Sequence, residues 1–183
     1  PSGNCIVIGG RSKGSTTYTV TINEKLQDIY GQQLSGPVSI EIPVGSAAQT
    51  LQAFQSRLIV LDPTSTENPQ YSVVSVNLKQ LHVIISQVEA TDYKSSIFQQ
   101  HYYDPDLITI PGVKLLDQVV DVEQKEDEPV ETSFDLTTYL KHQEEKLGHV
   151  FVFIQPVKSD WKGDWKYRPK IQTWIQVTRL CVD

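Results

Sequence analysis

The sequence has no methionine at any of its 183 positions, only four alanines and only two cysteines. With neither an initiating methionine nor a basic segment leading into an apolar one, it reads as a fragment or processed product, not as a whole translation product or a secretory precursor. Scarce alanine removes the best helix former, whereas valine, isoleucine and threonine together supply 49 residues. Those branched side chains suit a pleated, half-buried surface, so the chain is expected to be predominantly β. Cys5 and Cys181 lie near opposite ends. That spacing excludes a dense disulfide framework and a paired-cysteine metal site, and leaves their redox state open.

Long apolar runs are missing too. The longest candidate, Val150 to Ile154, falls far short of the roughly 18 residues of a membrane helix, so a soluble chain without membrane contact is expected. A formal charge of -6 supplies no positive field to displace counterions from phosphates, which argues against a nucleic-acid partner. The length suits one large domain or two small ones, with enough chain for a core.

Period-2 alternation carries the fold reading. Tyr18, Val20 and Ile22 alternate with Thr17, Thr19 and Thr21, and Val38, Ile40 and Ile42 alternate around Ser39 and Glu41, as in strands with one face buried. Between them, Asp28 and Gly31 mark a connection. Gly9 to Gly14 separates the run Cys5 to Ile8 from the first of these strands; because a strand and not a helix follows, a hairpin is favoured over a phosphate cradle. Val44 to Gln55 is small, polar and without periodicity, as expected of an interdomain link. Further strands are expected at Leu58–Leu61, Tyr71–Val76, Leu81–Val88, Val119–Val122, Val150–Ile154 and Trp174–Leu180, six that fit one sandwich. Short helical turns are expected over Asp92–Gln100 and over Asp135–Leu147, the latter capped by Asp135 and stopped by Gly148.

Chemistry-bearing residues are sparse. His82, His101, His142 and His149 have no ligand-type spacing, so no metal site is expected. Asp104-Pro105-Asp106 and the acidic run around Asp127 lack the alternating oxygens and glycine of a calcium loop and read as turns. No nucleophile elbow or activated thiolate is visible, although carboxylates such as Asp121 and Asp135 need only meet in space to do glycoside chemistry. The most distinctive stretch is Trp161-Lys162-Gly163-Asp164-Trp165-Lys166-Tyr167-Arg168-Pro169-Lys170. Its rings either stack on a ligand such as a sugar or pack over the chain's own sandwich beneath lysine stems, and packing is favoured.

Several segments, in order, carry a resemblance. Ser15 to Ile22 with Leu26 to Leu34 is similar to the closing half of a bacterial Ig-like domain, and Leu58 to Pro63 follows as it does there. Tyr71 to Val83 with its Asn77, then Val88, Asp92-Tyr93 and Phe98, resembles the opening of a macroglobulin domain. Phe134-Asp135-Leu136 with Leu140, Gly148 to Val152 and Trp174 to Leu180 resemble its later strands. Taken together the chain resembles part of a bacterial alpha-2-macroglobulin-like protein, a family of large periplasmic or surface protease traps in which bait cleavage cages the protease.

The resemblance implies an all-β fragment, with residues 1–50 part of an Ig-like domain whose earlier strands were cut away and 51–183 one antiparallel macroglobulin-type sandwich. It implies a periplasmic, surface or secreted location, a parent chain whose other domains are its partners, and contact with proteases only through that parent. The family's thioester motif, Cys-x-Glu-Gln, is absent, since Cys5 precedes Ile6-Val7-Ile8 and Cys181 precedes Val182-Asp183. No bait segment is recognisable, and no catalytic residue, metal or cofactor carries over. The expected function is therefore a non-catalytic structural module of a protease inhibitor. The alternative is a carbohydrate- or ligand-binding sandwich of a surface protein using Trp161, Trp165 and Tyr167.

Overall fold

In a computed structural model, the structure describes residues 7, 9–10, 12–53, 58–65, 67–94 and 110–179. The chain forms two compact units, Pro1–Ala48 and Gln49–Asp183, and the division falls inside the segment read as a link. The described residues of the first unit hold one antiparallel pair, β1 (Thr16–Ile22) and β2 (Val38–Val44), in the register Tyr18↔Ile42, Val20↔Ile40, Ile22↔Val38. The alternation is as expected, but its apolar face is not buried: Ile40 is 50% exposed and Tyr18 37%. Cys5, Ile6 and Ile8 lie outside the described residues.

The described residues of the second unit form a β-sandwich of eight strands, not six: β3 (Thr50–Ala53), β4 (Leu58–Leu61), β5 (Gln70–Val76), β6 (Gln80–Val88), β7 (Val113–Asp121), β8 (Pro129–Asp135), β9 (Gly148–Pro156) and β10 (Ile171–Val177). A five-stranded sheet, β4-β10-β9-β6-β7, faces a three-stranded one, β3-β5-β8. Pairing is antiparallel except for β4, which runs parallel to β10. Among the described residues, no helix is long and apolar enough to cross a membrane.

Inward positions at period two build the main core. Leu81, Val83 and Ile85 of β6, Val150, Val152 and Ile154 of β9, and Ile175 and Val177 of β10 meet Leu51 of β3, Tyr71 and Val73 of β5 and Val130 of β8. A second cluster, Ile84, Val88, Phe151, Phe153 and Trp174, lies on the other face of the five-stranded sheet.

Four expectations are corrected. Val44–Gln55 is not wholly irregular: its end forms β3, which buries Leu51. β7 begins at Val113 and ends at Asp121, and β10 starts three residues before Trp174 and ends at Val177. β8 was not anticipated. The expected helical turn over Asp135–Leu147 shrinks to a single 3-10 turn, Thr137–Tyr139, followed by a His142↔Leu147 bridge. Asp135 Oδ1 accepts from Thr137 N at 2.8 Å, but the N-cap position is taken by Leu136, which makes no side-chain capping bond, and Leu140 leaves the turn in extended conformation and is fully buried. The weak helix propensity of Thr137 and Thr138 and the burial of Leu140 in extended conformation both act against a longer helix. The other expected turn is a 3-10 segment over Ala90–Lys94; Ile97, Phe98 and Gln100 lie outside the described residues.

Tyr71 faces the core with its hydroxyl unpartnered, and burial pushes its pKa up to about 12. A buried orphan hydroxyl carries a desolvation cost of about 1–3 kcal/mol. Tyr71→Phe is therefore expected to leave stability unchanged or raise it by about 1 kcal/mol, read as the midpoint of urea unfolding; a clear loss would show that the hydroxyl has a partner.

Candidate functional site

The aromatic-basic segment is the connection between β9 and β10, and its path is fixed from both sides. Asp160 N and Trp161 N donate to Val157 O at 3.0 and 3.1 Å. The Asp160 carboxylate accepts from Lys79 N and Gln80 N. Gln49 Nε2 donates to Asn77 O and Asp160 O, both at 2.9 Å, while its Oε1 accepts from Lys162 N at 2.7 Å. Asn77, at φ 53, clasps Asp127, at φ 60, through two bonds of 2.8 Å. One end of the sandwich is thus tied into a hub joining the turns after β5, β7 and β9 to the start of β3.

The three rings have different surroundings. Trp161 packs against the main core and its Nε1 donates to Asp164 O at 3.1 Å. Asp164 Oδ1 caps the 3-10 turn Trp165–Tyr167 by accepting from Lys166 N. The Arg168 guanidinium lies 3.8 Å from the Trp165 ring centroid, a cation–π stack, and is buried. Lys158 Nζ lies 6.0 Å from the same ring. Tyr167 alone is widely exposed, at 74%, with Lys166 Nζ 5.7 Å from its ring.

A polar chain extends from this stack across the outer face of the five-stranded sheet. Arg168 Nε donates to Gln155 Oε1 at 2.8 Å, which turns the Gln155 amide nitrogen towards His82 Nδ1 at 3.4 Å. His82 Nε2 lies 2.7 Å from Asp117 Oδ1, and Lys114 Nζ lies 2.6 Å from Asp117 Oδ2. The Lys114 ammonium, followed by His82, holds the Asp117 carboxyl below its usual range. Sequence inspection missed this chain because its members come from β6, β7, β9 and the following loop; only outward parity plus strand register would have assembled it.

The remaining candidates are dispersed. His142 Nδ1 lies 3.9 Å from Glu145 Oε2. His149 Nδ1 accepts from Trp174 Nε1 at 3.2 Å, and desolvation lowers its pKa while Glu89 opposes the shift. His101, Asp104, Asp106, Cys5 and Cys181 lie outside the described residues. Among the described residues, no three His, Cys, Asp or Glu side chains are grouped to hold a metal ion.

The carboxylate pair is a correction. Asp121 ends β7 beside Gln80, whereas Asp135 ends β8 beside Gln70, at the far end of β5, about 20 Å away by strand rise. Asp121 accepts from Gln80 Nε2, and Asp135 from Asn68 Nδ2 and Thr137 N. They do not converge. An open groove of about 570 Å³ lined by Lys79, Gln80, Asp121, Gln124, Ser159 and Asp160 lies at the hub, where Asp121 and Asp160 are already engaged by donors.

No family model matches the sequence, and no curated protein matches it. Solved structures do. A crystal structure of native alpha-2-macroglobulin from Escherichia coli spanning domains MG0-NIE-MG1 is similar at TM-score 0.51 and 13% identity, over 94% of this chain and 53% of that one. A Salmonella alpha-2-macroglobulin mutant (Y1175G) is similar at TM-score 0.52 and 11% identity, over 92% of this chain and 9% of that one. The native conformation of E. coli alpha-2-macroglobulin, seen by cryo-electron microscopy, is similar at TM-score 0.52 and 12% identity, over 91% of this chain and 10% of that one. The chain thus spans about half of a three-domain piece and about a tenth of the longer chains, and it shares the fold of domains of bacterial alpha-2-macroglobulins.

Proposed function

We propose that the chain is a non-catalytic structural module of a large alpha-2-macroglobulin-like protease trap, with residues 1–50 part of an Ig-like domain and 51–183 a macroglobulin-type domain. The carrying observation is one of coverage: the likeness takes in almost all of this chain but about a tenth of the long chains it resembles. The location that goes with this reading is periplasmic, surface-exposed or secreted, and target proteases meet the module only through its parent.

The geometry supports a scaffold role. A sandwich whose turns are tied by Gln49, Asn77, Asp127 and Asp160 moves as one rigid piece, and such pieces let a shell rearrange while each core stays intact. The test uses the parent polypeptide with a substoichiometric protease, assaying cleavage of a small peptide and of a large protein in parallel. Retained peptide cleavage with lost protein cleavage is expected; equal retention of both would overturn the trap reading.

A second reading, a carbohydrate- or ligand-binding module, draws on the exposure of Tyr167 beside Lys166. It requires quenching of fluorescence by a glycan that Tyr167→Ala abolishes.

A further inference from the structure

The polar chain on the outer face of the five-stranded sheet runs in a single direction. An arginine side chain can only donate, so Gln155 turns its oxygen to Arg168 Nε, at 2.8 Å, and its amide nitrogen to His82 Nδ1, at 3.4 Å. His82 Nδ1 therefore accepts, and the ring carries its one proton on Nε2, which donates to Asp117 Oδ1 at 2.7 Å. Strand register sets this order. His82 lies opposite Gln155 of β9 on one side and Val119 of β7 on the other, with Asp117 opposite Ile84, the next residue on that face of β6. Each link joins a donor to an acceptor only while His82 is neutral.

Histidine is the side chain whose charge ordinarily changes between about pH 5 and 8. A proton taken up by His82 goes to Nδ1, which turns that atom from acceptor to donor and sets it against the Gln155 amide nitrogen, another donor. Turning the amide over relieves this contact but sets its nitrogen against Arg168 Nε. Two cations, imidazolium and guanidinium, thus contend for one amide oxygen. The ring cannot turn away without giving up Asp117. That carboxyl is held below its usual range by Lys114, whose Nζ lies 2.6 Å from Oδ2, and then by His82, so it stays ionised and binds the imidazolium more strongly than the neutral ring. The charged groups facing His82 are Asp117 and Lys114 from β7 and, through Gln155, Arg168 from the loop after β9; Asp121, farther along the same face of β7, accepts from Gln80 Nε2 at 2.9 Å.

Arg168 has the most to lose. It is 5% exposed, stacks on the Trp165 ring and donates from Nη1 to Trp165 O at 2.9 Å, and a buried cation keeps its place only while its donors are satisfied. We infer that His82 is a pH-sensitive latch on the loop between β9 and β10: neutral, it orients Gln155 to hold Arg168 on Trp165; protonated, it takes the Gln155 oxygen for itself and releases Arg168 together with the Trp165–Tyr167 turn. That turn carries the exposed Tyr167, so its presentation follows pH whether the chain serves as a scaffold or as a ligand-binding module.

The test follows three signals of the chain by NMR between about pH 8 and 5.5: the His82 ring proton Hε1, the Arg168 Nε proton and the Trp165 indole proton. The slowing of Arg168 Nε–H exchange, relative to an exposed arginine at the same pH, should fall by about tenfold or more as His82 takes up its proton, and the Trp165 signal should shift with the same midpoint as His82 Hε1. His82→Gln cannot titrate and should lose this pH dependence, whereas His149→Gln should keep it. Gln155→Glu supplies two acceptor oxygens, one for each cation, so Arg168 should stay protected across the range although His82 still titrates. Titration of His82 with Arg168 protection unchanged would overturn the inference, as would a release whose midpoint differs from that of His82 or that survives in His82→Gln. Release that persists in Gln155→Glu would overturn it too, because the amide oxygen would then not be what the two cations contend for.

Discussion

Trp174→Ala is expected to destabilise the second unit by about 3–5 kcal/mol, the range for removing a fully buried large aromatic. Trp174 is 1% exposed and sits among Ile84, Val88, Phe151 and Phe153, with Tyr93 meeting its ring edge-on at a centroid distance of 5.4 Å and an interplanar angle of 89°. Three losses coincide: apolar burial, a favourable T-shaped ring contact, and the hydrogen bond from Nε1 to His149 Nδ1. Thermal unfolding should fall by roughly 6–20 °C, given about 2–4 °C per kcal/mol at this size. Trp174→Phe should retain most of the packing and lose only part of that stability. Equal losses for the two variants would show that the hydrogen bond, and not the ring, dominates.

The same contact makes stability depend on pH. An indole N–H can only donate, so His149 Nδ1 accepts and the ring is neutral, with its proton on Nε2. Desolvation lowers the folded pKa of His149 below its ordinary 6.5. The unfolded chain therefore takes up this proton first as the pH falls. The contribution of His149 is fully present above about 6.5, is lost as the pH drops from there towards the lowered folded value, and changes no further below it. His149→Gln keeps an acceptor for the indole but cannot titrate, so its unfolding temperature should fall less between pH 7.5 and 5.5 than that of the unmodified chain.

Which parts of the fold were legible follows from how each strand is buried. β6 and β9 read clearly because Leu81, Val83, Ile85 and Val150, Val152, Ile154 alternate onto one core while Ile84, Phe151 and Phe153 fill a second one behind it. β7, at the sheet edge, leaves Val113, Leu115 and Val119 exposed, so its pattern marked only the last few residues. β8 buries Val130 and half-buries Phe134, but Pro129 and its polar neighbours hid the alternation. At the site, the interleaving of rings and cations was visible in the sequence. The stack of Arg168 on Trp165 was not, since it depends on how the loop's 3-10 turn folds back, and the chain through Gln155 and His82 was not, since it depends on register between distant strands.

Gly112 shows the same limit at a single residue, and its substitution carries the other large effect. Nothing in Pro111-Gly112-Val113 marks the glycine as more than a turn residue, yet it has φ +74 and sits against the end of β6, where a Cβ would overlap the Gln87 carbonyl oxygen and come within 2.6 Å of Val88 Cγ1. The register there is set by a bulge between Ile85 and Ser86 that leaves Val113 opposite Gln87. An alanine meets two penalties: about 1–2 kcal/mol for the left-handed conformation, and the displacement of β7 from β6, because a backbone oxygen cannot turn aside as a flexible side chain can. Gly112→Ala is expected to lower stability by more than about 2 kcal/mol, in the range of strained backbone sites, and to speed amide exchange along β7. Gly112→Asn separates the two causes, since asparagine tolerates positive φ but carries the same Cβ. If overlap with Gln87 dominates, asparagine is as damaging as alanine; recovery of stability with asparagine would mean that the backbone conformation is the whole constraint and that β6 and β7 have room to part.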